Sequence, residues 1–154
     1  MADTAEDKLA AMGLSLPQAA APVAAYVPTV LAGGLLHLSG QLPFRDGKVI
    51  TGRLGEDVGL EDGQQAAQAC ALMILAQAKA ALGGLDRIER VVKLGVFVNS
   101  APTFTDQPKV ANGASELLVA ALGDAGRHAR SAVGVAALPL GAAVEVDAIL
   151  QVKG

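Results

Sequence analysis

HARSAVGVAALPLGAAVEVDAI, residues 128–149, is the stretch from which the rest of this chain is best read. Both of its ends alternate short apolar side chains at the two-residue period of a strand. Strands are predicted over 130–137 and 143–152. The LPLGA between them, with its proline and glycine, reads as the turn of a β-hairpin. Arg130 opens the first strand, Glu145 interrupts the second, and Asp147 follows on the same side of that strand. A charge inside so apolar a segment costs free energy unless it is paired or faces solvent. Spacing leaves two readings open. One is an edge ion pair or a solvated strand face. The other is an arginine whose planar fork holds a ligand carboxylate, with Glu145 orienting a water or moving a proton.

Upstream, 106–122 is predicted helical, with Val110, Ala114, Leu117, Leu118 and Ala121 inward. The β-branched run VVKLGVFV at 91–98 reads as a strand with Val92, Leu94, Val96 and Val98 on one face. The strongest helix is 61–82, started by an Asp62 cap and stopped at Gly83-Gly84, with Ala71, Leu75, Ala78 and Leu82 on one face. Further back, 26–33 and 35–39 flank Gly33-Gly34, a hairpin turn, and Pro28 places the first of these strands near an edge. Residues 40–47 are expected to be a loop closed by Asp46-Gly47, followed by a short strand at 48–51. At the N-terminus, 4–12 forms a short helix with Thr4 as cap and Asp7 completing a capping box, ended by Gly13. The proline-bearing stretch 15–25 is an extended arm, so that 1–21 is mostly helix and arm. The order, ββ(β)αβαββ, predicts an α+β domain over 1–154: one mixed sheet with both main helices on one face.

Composition narrows the function. The chain has 154 residues and 15.4 kDa, the size of one domain. Hydrophobic residues make up 52% and charged residues 18%, which excludes disorder. Aromatics are only 3%, so the core is aliphatic; 31 Ala and 18 Gly imply close backbone packing. A net charge of −3 and a pI near 5.3, with Lys and Arg scattered, argue against nucleic acid as a partner. No stretch resembles a membrane span or a signal peptide, and a lone Cys70 suits a reducing cytoplasm. His37 and His128 lie far apart, no metal-binding spacing occurs, and neither glycine-rich phosphate loop is present. Cys70, inside the Ala-rich helix, reads as a small hydrophobe of the helix–sheet contact.

The 128–149 segment also resembles the signature of the RidA/YjgF/YER057c/UK114 family, the reactive-intermediate deaminases. Arg130, Ser131, Val133, Val135, Leu138, Pro139, Glu145, Val146, Asp147, Ala148 and Ile149 all match it. LHLSGQLP at 36–43, VVKLGVFV at 91–98, Phe104 and Val110-Ala111-Asn112 resemble further family motifs in the right order, and Tyr26 stands at the usual distance before Ser39-Gly40-Gln41. The resemblance spans about 22–152. It implies a chorismate-mutase-like fold assembled as a homotrimeric barrel, with helices outside and pockets between subunits. It also implies hydrolysis of enamines and imines such as 2-aminoacrylate to 2-keto acids and ammonia, without metal or organic cofactor. Arg130 then matches the residue that holds the substrate carboxylate, and Glu145 the residue that orients water. Tyr26, Ser39, Gly40 and Asn112 match other pocket positions. The chain departs from the archetype at Ala132 and Gly134, where cysteine and glutamate are usual, and in a longer 52–63 stretch. A non-catalytic binder or regulator using the same pocket is the competing reading. The endoribonuclease or translation-inhibitor activity in older family labels fits the acidic pI poorly.

Overall fold

Gly33 and Gly34 both take positive φ, 58° and 79°, a conformation open to glycine at no steric cost, and turn the chain between its first two strands. In the computed structural model, which describes residues 3–154, these are β1 (Thr29–Ala32) and β2 (Leu35–Gln41). Pro28 directly precedes β1, an edge strand, as its missing N–H requires. The expected 40–47 loop instead contains half of a miniature hairpin. β3 (Phe44–Arg45) pairs with β4 (Lys48–Val49) across Asp46 and Gly47, both at positive φ.

The main sheet runs β1-β2-β7-β5-β6, with β5 (Ile88–Asn99), β6 (Ala129–Val135) and β7 (Val144–Val152). All its pairs are antiparallel except β5 with β6, which the helix α3 (Gln107–Leu122) joins as a parallel crossover. The hairpin expected between 130–137 and 143–152 does not form. β5 lies between β6 and β7: the chain leaves β6 beside the end of β5, crosses that end, and returns as β7 on the far side of β5, antiparallel to it.

One face of the sheet is buried under α2 (Leu60–Leu82) and α3. Leu36, Leu38, Leu94, Val96, Val98, Val144, Val146, Ala148 and Leu150 meet the helices' Ala66, Ala67, Cys70, Ile74, Ala114, Leu117 and Leu118 there. Ala and Gly at the contacts let the layers approach. At Gly113, an added Cβ would run into the backbone carbonyl of Gln64, so α2 and α3 touch through their main chains. On β5 the buried residue at the start of the run is Val91, not the expected Val92, which is exposed. The β5–β7 register slips between Val91 and Lys93, and such an irregularity switches which of two adjacent valines points inward.

Helix ends follow the local chemistry in part. Gly83 sits at φ 85° and stops α2 in the left-handed conformation. Its start is not capped by Asp62. The helix begins earlier, after Gly59, so Asp62 lies in the first turn, where its charge suits the N-terminal dipole. In α1 (Ala5–Ala11), Thr4 Oγ1 accepts from the Asp7 amide and Asp7 accepts from the Thr4 amide, both at 3.1 Å. Leu9 of α1 enters the core, and Glu6 pairs with Lys79 at 2.8 Å. The longer 52–63 stretch is a plug: Leu54 is fully buried, and its amide and carbonyl bond Asn99 and Ala101 at 2.8 and 2.9 Å.

Candidate functional site

Among the described residues, none of the helices packs on the second face of the sheet. Cross-strand partners share a face, so register sorts the site residues. Leu94, buried beneath the helices, pairs with Arg130; Phe97, three residues along β5, pairs with both Val133 and Glu145. Arg130 therefore lies on the helix side and Glu145 on the open side. Within one chain they do not meet, and no ion pair joins them among the described residues. The edge ion-pair reading of these two charges is thereby overturned.

Glu145 lines a cavity of about 460 Å³ at the open side, and it is the only charged residue in that lining. One wall is β2 at its bulge before Gln41, where Ser39 and Gly40 sit. Another is the N-terminal arm, Ala20–Ala24 followed by Tyr26 and Pro28, and Phe44 and Pro139 complete the rim. The structure thus gathers Tyr26, Ser39, Gly40 and Glu145. The Glu145 carboxylate lies against the Gly40 Cα so closely that a Cβ there would stand 2.7 Å from Oε2. Ser39 is engaged in holding the wall: its hydroxyl donates to the Val27 carbonyl at 2.7 Å, and its amide to the Pro28 carbonyl at 2.9 Å.

The arm is pinned by a buried amide pair. Gln77 of α2 donates to the Ala20 carbonyl at 2.7 Å and to Gln41 Oε1 at 3.2 Å, while Gln41 donates to the Ser39 carbonyl at 3.0 Å. Gln41 belongs to the Ser39-Gly40-Gln41 motif, but its pairing with Gln77 was not legible in the sequence. The only signal was a pair of amides at positions whose neighbours are apolar.

Burial raises the Glu145 carboxyl above the ordinary glutamate range, and the nearby Asp147 charge adds to the rise. Asp147 is raised as well, chiefly by burial, with the Gly95 backbone and Lys93 pulling the other way. Two carboxylates on one strand face, half-buried and mutually repelling, hold protons more tightly than carboxylates in water. Cys70 is fully buried at the helix–sheet contact, 3.5 Å from the Val144 carbonyl. Burial first, then Glu145, pushes its thiol well above the usual range, which is the signature of an inert thiol.

On the other side, Arg130 lies against α3. Its Nη1 donates to Asn112 Oδ1 and to Ser115 Oγ, each at 3.0 Å, and its Nη2 donates to the Pro108 carbonyl at 3.2 Å. Asn112 and Arg130 are therefore brought together, 18 residues apart in sequence, but apart from the Glu145 group. Ala132 packs against the core edge. A side chain at Gly134 would meet Gln107 Nε2 at 2.7 Å, the far end of a flexible side chain that has to move aside to admit it. Among the described residues, no three His, Cys, Asp or Glu side chains converge where a metal could sit, and no helix is long and apolar enough to cross a membrane.

Residues 6–150 match the profile of a protein family described as "YjgF/chorismate_mutase-like, putative endoribonuclease". This chain belongs to that family. The YjgF-type resemblance read from the 128–149 segment is borne out, and so is the α+β architecture of a mixed sheet with both main helices on one face. Among this YjgF-family chain's relatives is protein TCP17 of Trypanosoma cruzi, 57% identical over 144 residues, covering 92% of this chain and 90% of that one. A 2-iminobutanoate/2-iminopropanoate deaminase of Dermatophagoides farinae is 28% identical over 142 residues, covering 91% and 95%. Of solved structures, the protein Atu1372 of Agrobacterium tumefaciens, described as of unknown function, superposes with a TM-score of 0.92 at 50% identity, covering 98% of this chain and 94% of that one.

Proposed function

We propose that this protein is a cytoplasmic hydrolytic deaminase of 2-aminoacrylate-type enamines and imines, acting in pockets between the subunits of a homotrimer. The observation that carries this reading is Glu145. It is a lone, half-buried carboxylate with a raised pKa at the edge of a cavity otherwise lined by apolar and neutral side chains. The Dermatophagoides farinae relative, named as a 2-iminobutanoate/2-iminopropanoate deaminase, supports the same chemistry.

An imine is already electrophilic at carbon, so no strong nucleophile has to be made. Water must be held about 3 Å from that carbon and deprotonated as it attacks. With the imine protonated at nitrogen, Glu145 accepts the water proton as the C–O bond forms, giving a neutral carbinolamine. That proton passes to the amine nitrogen, the C–N bond breaks as the hydroxyl returns its proton to Glu145, and a 2-oxo acid is left with ammonia, which takes up that last proton. The raised affinity of Glu145 for protons makes it a stronger base for the first step. The carboxylate of the substrate needs a partner, and Arg130 is the residue of the right geometry. Arg130 and Glu145 occupy opposite faces of one sheet, so a shared substrate requires Arg130 from a neighbouring copy. The open sheet face, with Phe97 and Ile149 half-buried and Val30 and Val133 exposed, is the apolar surface that such an assembly covers.

Ammonia release from enzymatically generated 2-aminoacrylate tests the reading. Arg130→Lys keeps the charge and loses the paired geometry, so kcat/KM falls about 10- to 100-fold. Glu145→Gln cannot accept the water proton, so kcat falls instead. Light scattering should give about three times the 15.4 kDa chain mass. A monomer in solution, or ammonia release unaffected by Glu145→Gln, would refute it. Ligand binding without turnover would leave the non-catalytic binder as the reading.

A further inference from the structure

His128 and Ser115 stand behind Arg130 and have no part in the chemistry above. The His128 ring bridges two groups: Nδ1 lies 2.6 Å from the Gly126 carbonyl, and Nε2 lies 2.9 Å from Ser115 Oγ. A carbonyl oxygen only accepts, so Nδ1 carries the hydrogen. In the neutral ring Nε2 then accepts, and the Ser115 hydroxyl donates to it. With its hydrogen committed to His128, the Ser115 oxygen turns its lone pairs to Arg130 Nη1, 3.0 Å away. Every donor in the chain Arg130 to Ser115 to His128 to Gly126 meets an acceptor, and each link fixes the next.

The guanidinium has five N–H groups. Three are taken by Asn112, Ser115 and Pro108 of α3. Nε–H and one Nη2–H remain, and two N–H groups match the two oxygens of a carboxylate. We propose that Ser115 and His128 are positioning residues that lock the Arg130 guanidinium through α3, so that its two remaining N–H groups present a preformed carboxylate clamp. The inference rests on the reading of Arg130 as the carboxylate-holding residue. Without His128, the Ser115 hydroxyl is free to turn back to the carbonyl of Ala111 four residues earlier in its own helix, the usual resting place of a helical serine. Its lone pairs then no longer hold Nη1, and the long arginine stem regains freedom.

Calorimetric binding of 2-oxobutanoate and of its uncharged amide, 2-oxobutanamide, to the full-length assembled protein separates the possibilities. Ser115→Ala and His128→Leu should each weaken the acid about 5- to 10-fold, the value of one net hydrogen bond, and leave the amide unchanged. Ser115→Thr keeps the hydroxyl and restores acid binding to within about twofold, and the double variant is no weaker than the weaker single one, because both residues act through one chain. In turnover, KM rises while kcat holds, since a carboxylate is gripped equally in ground and transition states. If Arg130→Ala weakens the acid while Ser115→Ala and His128→Leu bind it like the parent, the positioning role is wrong and the Arg130 reading stands. If Arg130→Ala binds the acid like the parent, that reading fails and takes the positioning role with it. Equal loss of acid and amide would show a merely structural contact and overturn the proposal. Where Ser115→Ala does not fold, His128→Leu tests the same contact from the β6 side.

Discussion

Gly40→Ala tests the placement of Glu145 without touching its chemistry. An alanine Cβ at this position would stand 2.7 Å from Oε2 and 3.1 Å from Cγ of Glu145, where ordinary contact begins at 3.4 Å. The carboxylate must therefore retreat by about 0.7 Å, and it can, because every atom in the clash belongs to the end of one flexible side chain. No backbone is in the way, and Gly40 does not depend on positive φ. The expected stability loss is about 0.5–1.5 kcal/mol, the cost of an off-rotamer side chain. A base displaced by most of an ångström loses far more in rate, about 10- to 100-fold in kcat, because proton transfer from a held water depends steeply on position. The assay is ammonia release per folded protein, with thermal unfolding measured beside it and the carboxylate position checked crystallographically. Parent-like kcat with Glu145 visibly displaced would refute the base assignment. A rate loss that only tracks the unfolded fraction would refute the geometric argument.

Asp147→Asn removes the charge that helps raise Glu145, so the acidic limb of the kcat/KM profile should move to lower pH. Both carboxyls are raised on folding, so the folded chain binds their protons more tightly than the unfolded one. Their contribution to stability is therefore greatest below the ordinary carboxylate values and is lost as pH rises through the folded values. Denaturant titrations at several pH values should show Asp147→Asn and Glu145→Gln flattening that decline, and a steeper one would contradict the sign. Cys70→Ala should leave turnover within about twofold and cost about 1–2 kcal/mol, read by denaturant midpoint, as a small core truncation does. Gly113→Ala forces a Cβ onto the Gln64 carbonyl, where the two helices cannot yield separately, and should cost about 3 kcal/mol or more in the same assay.

What was legible in the sequence was local chemistry with a fixed residue requirement. The Thr4–Asp7 capping box, the Gly33-Gly34 turn and the left-handed stop at Gly83 each depend on two or three adjacent residues, and each forms as read. The inward face of α3 likewise follows from its 3.6-residue period. Less legible was anything set between distant segments. Two consecutive valines at 91 and 92 suit either face of β5, and only the slipped register against β7 chooses Val91. Leu54 looks like any residue of a glycine-rich loop until β5 and α2 close around it. The site residues arrived as a motif, but their separation into a Glu145 group and an Arg130 group is a matter of sheet parity that no spacing within the motif reveals. The Gln77–Gln41 and Ser115–His128 contacts carried no recognisable pattern, because they join residues 36 and 13 positions apart.

β7 is the last strand of the chain and yet stands in the middle of the sheet, between β2 and β5. During synthesis the β1–β2 hairpin and the β5–β6 pair can form early, with α2 and α3 packed across them, but no strand ladder joins them until residues 144–152 emerge. The sheet is thus sealed only once β7 has emerged, and until then two half-sheets wait with unpaired inner edges, the condition in which nascent chains find wrong partners. The strand that closes the sheet also carries Glu145. A chain that stops short of β7 lacks its central strand and its candidate base together, so no truncated product has a folded but unarmed pocket.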